Sequence, residues 1–530
     1  MKNNKLTGSF YTPQVVSDFL VEYLSKKLKD RSNISVLEPS VGDGVFIRSI
    51  INNSFLLNKI EKIIGIEKDE LELNKISGTI SIFHGVHSDF LEYQKEDVTK
   101  YDLVLGNPPY IKKGLLKEYQ IELCKEIHSF AKLSDTQPKN IWTAFLVRCI
   151  RYLNEYGILS FVLPSELLQV KFAEELRELI LKEFERVEIF TFNELLFKDC
   201  KGQDTILLIG EKKSLQKGIF YCNIDKISEL NNAKFKLEQN INIRESKWTH
   251  HHLTVEESEL LAKLKEKLNT VKDYCTSKAG IVTAANNYFI VNKNIVKQYG
   301  LQNLVKPIIQ KGQFVNGSVV LSEEEFQILI EESKPSFLLS LDEHSRFRNN
   351  KRLLEYLKIG EDLEIHKRYK TSQRENWYEV PNIGIPPEAF FFKRCQEYPK
   401  FIKNNANVLS TDSAYIISMN GNYKVENLIF SFYNSLTLSF AELYGRYYGG
   451  GVLELTPNEF KNLPVPYVNI SESNFEKFNK DFKNKNSISD ICIQNDYSIL
   501  KSIDNDIDHE SIVAISRIRE KLYRRRIKTN

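Results

Sequence analysis

The sequence predicts an α/β protein built on a doubly wound, mostly parallel sheet of seven strands, followed by an α+β unit. Three observations carry this expectation. From Phe10 to about Gly210, short β-branched runs alternate with amphipathic stretches of helical period, the pattern of a parallel sheet covered on both faces. The apolar run Tyr101-Asp102-Leu103-Val104-Leu105-Gly106 stops at Asn107-Pro108-Pro109-Tyr110, because two prolines cannot extend a parallel sheet. The segment Leu37-Glu38-Pro39-Ser40-Val41-Gly42-Asp43-Gly44-Val45-Phe46 lies between a strand and a helix, the setting of a glycine-rich ligand loop.

In chain order, Phe10-Tyr11-Thr12-Pro13 opens a helix with Val16, Phe19, Leu20, Tyr23 and Leu24 on one side, and the pattern places Thr12 at the N-cap and Pro13 at the first helical position. The expected strands are Ser35 to Leu37, Ile63 to Ile66, Ile80 to Phe83, Asp102 to Leu105, Ile158 to Leu163, Val187 to Phe192 and Thr205 to Ile209. Helices are expected over Ile141 to Leu153 and Ser165 to Phe184. The second would open on a Ser165 N-cap and bury Leu167, Phe172, Leu176 and Leu179.

From about Lys212 to His252 the chain turns polar, and the domain junction is placed there. His250-His251-His252 has no partner ligands at a metal-binding spacing, so it reads as solvated linker and no metal is expected. A helix carrying Leu260, Leu261, Leu264 and Leu268 follows. About Asp273 to Tyr467 then reads as a second globular unit, containing Gly280-Ile281-Val282-Thr283 and Gly449-Gly450-Gly451. Ser511 to Asn530 puts Ile515, Ile518 and Leu522 at helical spacing among basic residues, so one face packs and the other is cationic.

A chain of 530 residues has room for two or three domains. A net charge of +3 means that a polyanion would have to meet a local basic surface, not the field of the whole molecule. The seven cysteines are scattered without metal-ligand spacing, which fits free thiols in a reducing, cytoplasmic compartment. No apolar run reaches membrane-spanning length and the N-terminus leads into no signal-peptide core, so neither a membrane location nor export is expected.

The chemistry concentrates at strand ends. The loop of Glu38, Ser40 and Gly42 lacks the full dinucleotide glycine pattern, and its acidic start would repel a pyrophosphate while suiting a cationic ligand such as the amino group of S-adenosylmethionine. Glu67 ends the next strand about 25 residues after Gly42, near the offset at which a carboxylate grips ribose hydroxyls. Asp89-Phe90 follows the third strand, where a carboxylate can accept from an adenine amine and an aromatic ring can cover its face. At the helix start after Thr12, free amides can receive a carboxylate such as the cofactor's methionine tail. Asn107-Pro108-Pro109-Tyr110 joins acceptors to a stacking surface at the ligand-binding edge of the sheet, a combination that suits an exocyclic amine on a flat base.

In this order, Tyr11-Thr12-Pro13, Glu38-Pro39-Ser40-Val41-Gly42-Asp43-Gly44, Glu67, Asp89-Phe90 and Asn107-Pro108-Pro109-Tyr110 resemble the gamma class of N6-adenine DNA methyltransferases of restriction-modification systems. The resemblance covers the first 210 residues. It implies a class I S-adenosylmethionine-dependent methyltransferase domain over 1–230, a linker and connecting helix over 231–272, and a DNA target recognition domain over 273–530 with a basic C-terminal helix. Gly280 to Asn287, Tyr447-Tyr448-Gly449-Gly450-Gly451 and Leu463-Pro464-Val465-Pro466 look like that family's specificity domain.

The resemblance also implies roles. Thr12, Glu38, Ser40, Gly42, Glu67, Asp89 and Phe90 would hold S-adenosylmethionine; Asn107, Pro108 and Tyr110 would be catalytic, with Asn107 polarising the amine without acting as a base. Tyr110 and Phe197 would hold the flipped base, with Phe192 the competitor for the latter place. The partners implied are double-stranded DNA and a cognate restriction endonuclease that acts on the same site from a separate chain, with no stable complex between them and the methyltransferase a monomer. The Arg524-Arg525-Arg526 tail is a candidate for phosphate contacts. Two rival readings are a glutamine-modifying protein methyltransferase, which shares Asn-Pro-Pro-Tyr but carries its extra domain in front, and a non-catalytic DNA-binding subunit, which the intact Glu38, Gly42, Asp89 and Asn107 oppose.

Overall fold

The computed structural model describes residues 11–76, 78, 80–93, 100–194, 196–197, 204–232, 235–240, 247–249, 253–315, 317–341, 350–448 and 451–527. His250-His251-His252, Cys200 and Gly449-Gly450 of the sequence reading lie outside them. The chain falls into two compact units that part between His252 and Leu253, the second comprising Leu253–Tyr447 and Gly451–Ile527. That point lies inside the stretch read as linker. Among the described residues no helix is long and apolar enough to cross a membrane.

The first unit is organised by one sheet. Its strands are β1 (Ile34–Glu38), β2 (Ile60–Glu67), β3 (Phe83–His87), β4 (Tyr101–Gly106), β5 (Leu153–Pro164), β6 (Arg186–Phe192), β7 (Thr205–Glu211), β8 (Gly218–Ile224) and β9 (Glu238–Asn240). They lie in the order β3-β2-β1-β4-β5-β7-β6-β8-β9. β1 to β5 run parallel to one another, β7 is antiparallel to both β5 and β6, and β8 returns parallel to β6. β1 is buried at every position and β4 at all but Asp102, as expected of strands covered on both faces. The first seven strands therefore form a doubly wound, mostly parallel sheet, as the sequence predicts.

The sequence reading needs correction at four places. Among the described residues the sheet has nine strands, because Ile219 to Cys222 and Glu238–Asn240 pair onto its far edge from within a region that polar flanks made look like linker. β3 begins at Phe83 instead of ending there; the apolar Ile80 and Ile82 only lead into it, and the strand itself carries the exposed His84 and Gly85 of a sheet edge. The helix expected over Ser165 to Phe184 breaks into Glu166–Gln169, a short 3-10 turn and Glu174–Glu183, because Val170 is extended at φ −81°, ψ 148°. The carbonyls this break releases are recovered: Arg177 Nη1 donates to Leu167 O and Val170 O at 2.8 and 3.2 Å, and Trp248 N to Leu168 O at 2.8 Å. Ser165 is itself helical and its side chain makes no cap bond.

The second unit holds a five-stranded sheet in the order Cys275–Ala279, Ala414–Met419, Ala389–Phe392, Lys400–Asn404, Val320–Leu321, together with smaller sheets and a C-terminal set of helices. The last helix, His509–Arg526, shows the fourth correction. Ile515, Arg519, Leu522 and Arg526 repeat at helical spacing, so two of the expected cationic residues fall on the packed face and are 4% exposed. Arg526 grips Glu442 through Nε and Nη2 at 2.7 and 2.8 Å and caps main-chain carbonyls of Gln396, Glu397 and Gly451. It is a structural cation, and Arg524 alone of the three is exposed.

Candidate active site

In an open parallel sheet, ligands bind where the strand order reverses, outside the C-terminal ends of the strands. Here that point lies between β1 and β4, which are neighbours although β2 and β3 intervene in sequence. Glu38 ends β1 and Asn107 follows β4, so the acidic loop and the Asn-Pro-Pro-Tyr turn flank one crevice.

The loop after β1 turns on two glycines with left-handed backbone, Gly42 at φ +54° and Gly44 at φ +79°, before the helix Val45–Asn52. The backbone at Gly44 favours glycine, and a Cβ there would also push the end of the Ile76 side chain aside, 2.1 Å from its Cδ1. Glu67 fixes the turn from the neighbouring strand: its Oε2 accepts from Gly42 N and its Oε1 from Asp69 N, both at 2.8 Å. The Tyr11 ring covers the loop, its Cε1 3.6 Å from where a Cβ on Gly42 would be.

Glu38 is fully buried, and neither carboxylate oxygen has a hydrogen-bond partner among the described residues. Burial, with Asp43 and Glu67 close by, raises its pKa well above the ordinary carboxylate range. Arg48, the nearest cation, bonds to Asp43 instead, Nη2 to Oδ2 at 3.1 Å. An orphan carboxylate in an acidic, desolvated loop is a seat for a cation.

Asn107 is held from two sides. Its Nδ2 donates to Thr12 Oγ1 at 3.1 Å, and its main-chain oxygen accepts from Ser40 Oγ at 3.1 Å. The three sequence motifs thus meet in one hydrogen-bonded chain. Thr12 is consequently not the helix cap: Pro13 occupies that place, its carbonyl taking the first bonds of Gln14–Lys27 from Val16 N and Ser17 N. Thr12 serves the amide, and the Gln14 and Val15 amides precede the first intrahelical bond, where a helix start can receive an anion. Pro108 is buried beside Asn107. Tyr110 is 8% exposed and donates its hydroxyl to Val162 O of β5 at 3.0 Å, which fixes the plane of its ring.

Asp89 carries more partners than the sequence indicated. Its Oδ2 accepts from Lys68 Nζ, Gln120 Nε2 and Tyr119 Oη at 2.5, 3.1 and 3.3 Å, and its Oδ1 from Leu91 N at 3.1 Å. Burial alone would raise its pKa, but these donors, Lys68 first, hold it below the usual range. Oδ1, with a single donor, is the oxygen left to receive a further one.

Phe90 departs from expectation. Its ring is 2% exposed and packs on Phe145 with centroids 4.8 Å apart, on Tyr152 and under the Arg148 guanidinium, so it offers no open face to a ligand. Phe197 and Phe192 are both buried; Phe192 closes β6 opposite Ile224 of β8, whereas Phe197 lies outside any strand. Lys198 and Asp199, next to Phe197, lie outside the described residues. The sequence reading passed over Tyr11, although it stands in the Thr-Pro motif, and over Lys68, which follows Glu67 directly. Tyr119 and Gln120 carry no local signal, since they reach Asp89 only through folding.

Residues 31–197 match the family profile of the Eco57I restriction-modification methylase, and residues 245–500 that of the C-terminal domain of the Type II methyltransferase M.Eco57I. The chain belongs to the restriction-modification DNA methyltransferases. Among curated members, it is 25% identical over 486 residues to the Type II methyltransferase M.AccI of Acinetobacter calcoaceticus, a match covering 87% of this chain and 85% of that one. With M.HincII of Haemophilus influenzae it shares 28% over 210 residues, 37% of this chain and 38% of the relative. Among solved structures, the Type IIL restriction-modification enzyme MmeI in complex with DNA superposes with a TM-score of 0.60 at 13% identity, covering 95% of this chain and 74% of that one, a likeness of fold. In this restriction-modification methyltransferase the first match spans both the acidic loop and the Asn-Pro-Pro-Tyr turn.

Proposed function

We propose that the protein transfers a methyl group from S-adenosylmethionine to the N6 amine of an adenine flipped out of duplex DNA, protecting that DNA from a cognate restriction endonuclease on a separate chain. The observation that carries the reading is Glu38, a buried carboxylate lacking a protein partner among the described residues, at the crevice edge shared with a doubly anchored Asn107. The donor set fits S-adenosylmethionine: Glu38 would take its ammonium, the Gln14 and Val15 amides its carboxylate, Glu67 its ribose hydroxyls, and Asp89 Oδ1 the amine of its adenine. Ser40 and Gly42 shape the loop around it, and Phe90, its ring engaged elsewhere, contributes main chain alone. When bound, this cofactor supplies an electrophilic methyl group on sulfur.

The protein's own residues prepare the nucleophile. An adenine amine reacts poorly because its lone pair is delocalised into the ring. With Nδ2 committed to Thr12, the Asn107 amide turns its Oδ1 as an acceptor for one amine proton, and the Pro108 carbonyl accepts the other. Two such bonds draw the nitrogen toward tetrahedral geometry and localise its electrons, without a base. Tyr110, its plane fixed through Val162, supplies a stacking face, and Phe197 a second. Stacking contributes roughly 1–3 kcal/mol per base against a flipping cost of a few kcal/mol. The test is to incubate the protein with unmethylated DNA and methyl-labelled cofactor and to resolve the nucleosides. Label in N6-methyladenine is expected; label in a cytosine product, in RNA or in protein overturns the reading.

A further inference from the structure

The second unit contains an open cavity of about 710 Å³, within the range of small-ligand sites, that the methyl-transfer chemistry does not use. One side is the loop Val282 to Asn287 with Asp412 beside it, Asp412 N donating to Ile281 O at 3.0 Å. The other side comes from the segment Leu363 to Lys370, with Arg368 and Lys370 at the rim.

The two sides differ in chemistry. Arg368 and Lys370 are exposed, and neither has an ion-pair partner among the described residues, whereas nearby Lys358 pairs with Glu361 and Asp362 and Lys367 with Glu364. The loop side offers amides and an acceptor. Asn286 Oδ1 receives a bond from Thr283 Oγ1, which leaves its Nδ2 to donate; Asn287 is exposed; Asp412 can only accept.

The loop is built to hold this shape. Arg374 Nη2 donates to Thr283 O at 2.8 Å, a Cβ on Gly280 would stand 2.3 Å from Thr411 O, and Ala284 keeps a left-handed φ of +68°. Such a conformation is costly for a residue with a side chain, and persists where the surroundings over-determine it.

A cationic rim facing an amide-and-carboxylate wall matches a nucleotide within a strand, with phosphates on one side and a base edge on the other. We infer that this cavity reads one amine-bearing base, adenine or cytosine, of the recognition sequence: Asp412 and the Asn286 and Asn287 amides contact the base edge, and Arg368 and Lys370 the flanking phosphates. The inference rests on the proposal that the substrate is duplex DNA. Asp412 supplies the discrimination, because an acceptor-only group takes an amine hydrogen and repels the carbonyl that guanine or thymine presents in the same place.

Binding to duplex DNA measured across salt concentrations, and the methylated motif read by sequencing that detects modified adenine, test it together. For R368A/K370A the slope of log affinity against log salt should become shallower by about 1.8, since each phosphate contact contributes about 0.9. K358A, an equal loss of charge per residue outside the cavity, should keep the wild-type slope. D412N should methylate sites carrying guanine or thymine at one position, with discrimination there falling roughly tenfold to a hundredfold. An unchanged slope in the double variant, whose replaced side chains are exposed, or undiminished stringency in D412N, overturns the inference. Wild-type protein that methylates no DNA overturns the proposed function instead.

Discussion

Replacing Glu38 by Gln should weaken cofactor binding and strengthen the ligand-free fold at once. The carboxyl is fully buried, lacks a hydrogen-bond partner among the described residues, and has Asp43 and Glu67 for neighbours. Unfolded, it would ionise near pH 4.3. Folded, burial and then those two carboxylates keep it protonated to a higher pH, so the wild type loses stability as pH rises above the unfolded value, until the folded carboxyl ionises as well. Gln keeps the shape and abolishes that loss, so the variant should melt higher at neutral pH. A bound ammonium reverses the balance. Removing one partner of a buried ion pair costs about 3–5 kcal/mol, and after allowance for the proton that wild-type Glu38 must release, affinity should fall by about two to three orders of magnitude. Calorimetric titration with S-adenosylmethionine between pH 6 and 9 checks this. Wild-type affinity should climb with pH and binding should release a proton, while Glu38→Gln should be weak and flat. Binding within threefold of wild type, or a destabilised variant, would refute the argument, since a merely structural carboxylate would lose stability and not affinity.

Asn107→Ala should lower turnover on the order of 10²–10³-fold while S-adenosylmethionine binding stays within about twofold, as seen by comparing single-turnover rates with calorimetry. Phe197→Ala should reduce DNA affinity by roughly 1–3 kcal/mol and quench the signal of 2-aminopurine at the target position; wild-type fluorescence would pass the role to Phe192 or to no residue. Arg526→Ala strands the buried Glu442 and should destabilise the second unit by about 3–5 kcal/mol, whereas Arg524→Ala should shift the melting temperature little. Asp496, pushed up to about 6 by burial, weakens the fold as pH rises from about 4 to 6; Asp496→Asn should recover up to about 3 kcal/mol at pH 7 and nothing at pH 4, by denaturant melts at the two values.

What the sequence disclosed was whatever one segment could signal by itself. β1, β4 and β5 carry their apolar runs between clear stops, and the double proline after Asn107 marks the end of β4 to within a residue. β8 was hidden because its short buried run, Ile219 to Cys222, is flanked by lysines and asparagines that made the region read as polar. The break at Val170 was equally invisible, since its compensation comes from Arg177 and Trp248, the latter far along the chain. At the site, Glu38, Glu67 and Asn107 were legible from their places at strand ends. Thr12 was legible as a residue but not in its task, because a Thr before Pro resembles a helix cap until the partner 95 positions away is known. Phe90 misled for the opposite reason: an aromatic beside a strand-end carboxylate such as Asp89 fits either a cover or a core, and only packing against Phe145 and Tyr152 decides.

On the proposed function, the Ser40 hydroxyl bonded to the Asn107 carbonyl would tie the cradle of one substrate to the clamp of the other. Whatever settles the loop also settles the turn, so occupancy of either place should tighten the second. Thermodynamic reciprocity then requires the same factor in both directions. A Ser40→Ala enzyme should therefore treat donor and acceptor as strangers, each binding as though the other were absent.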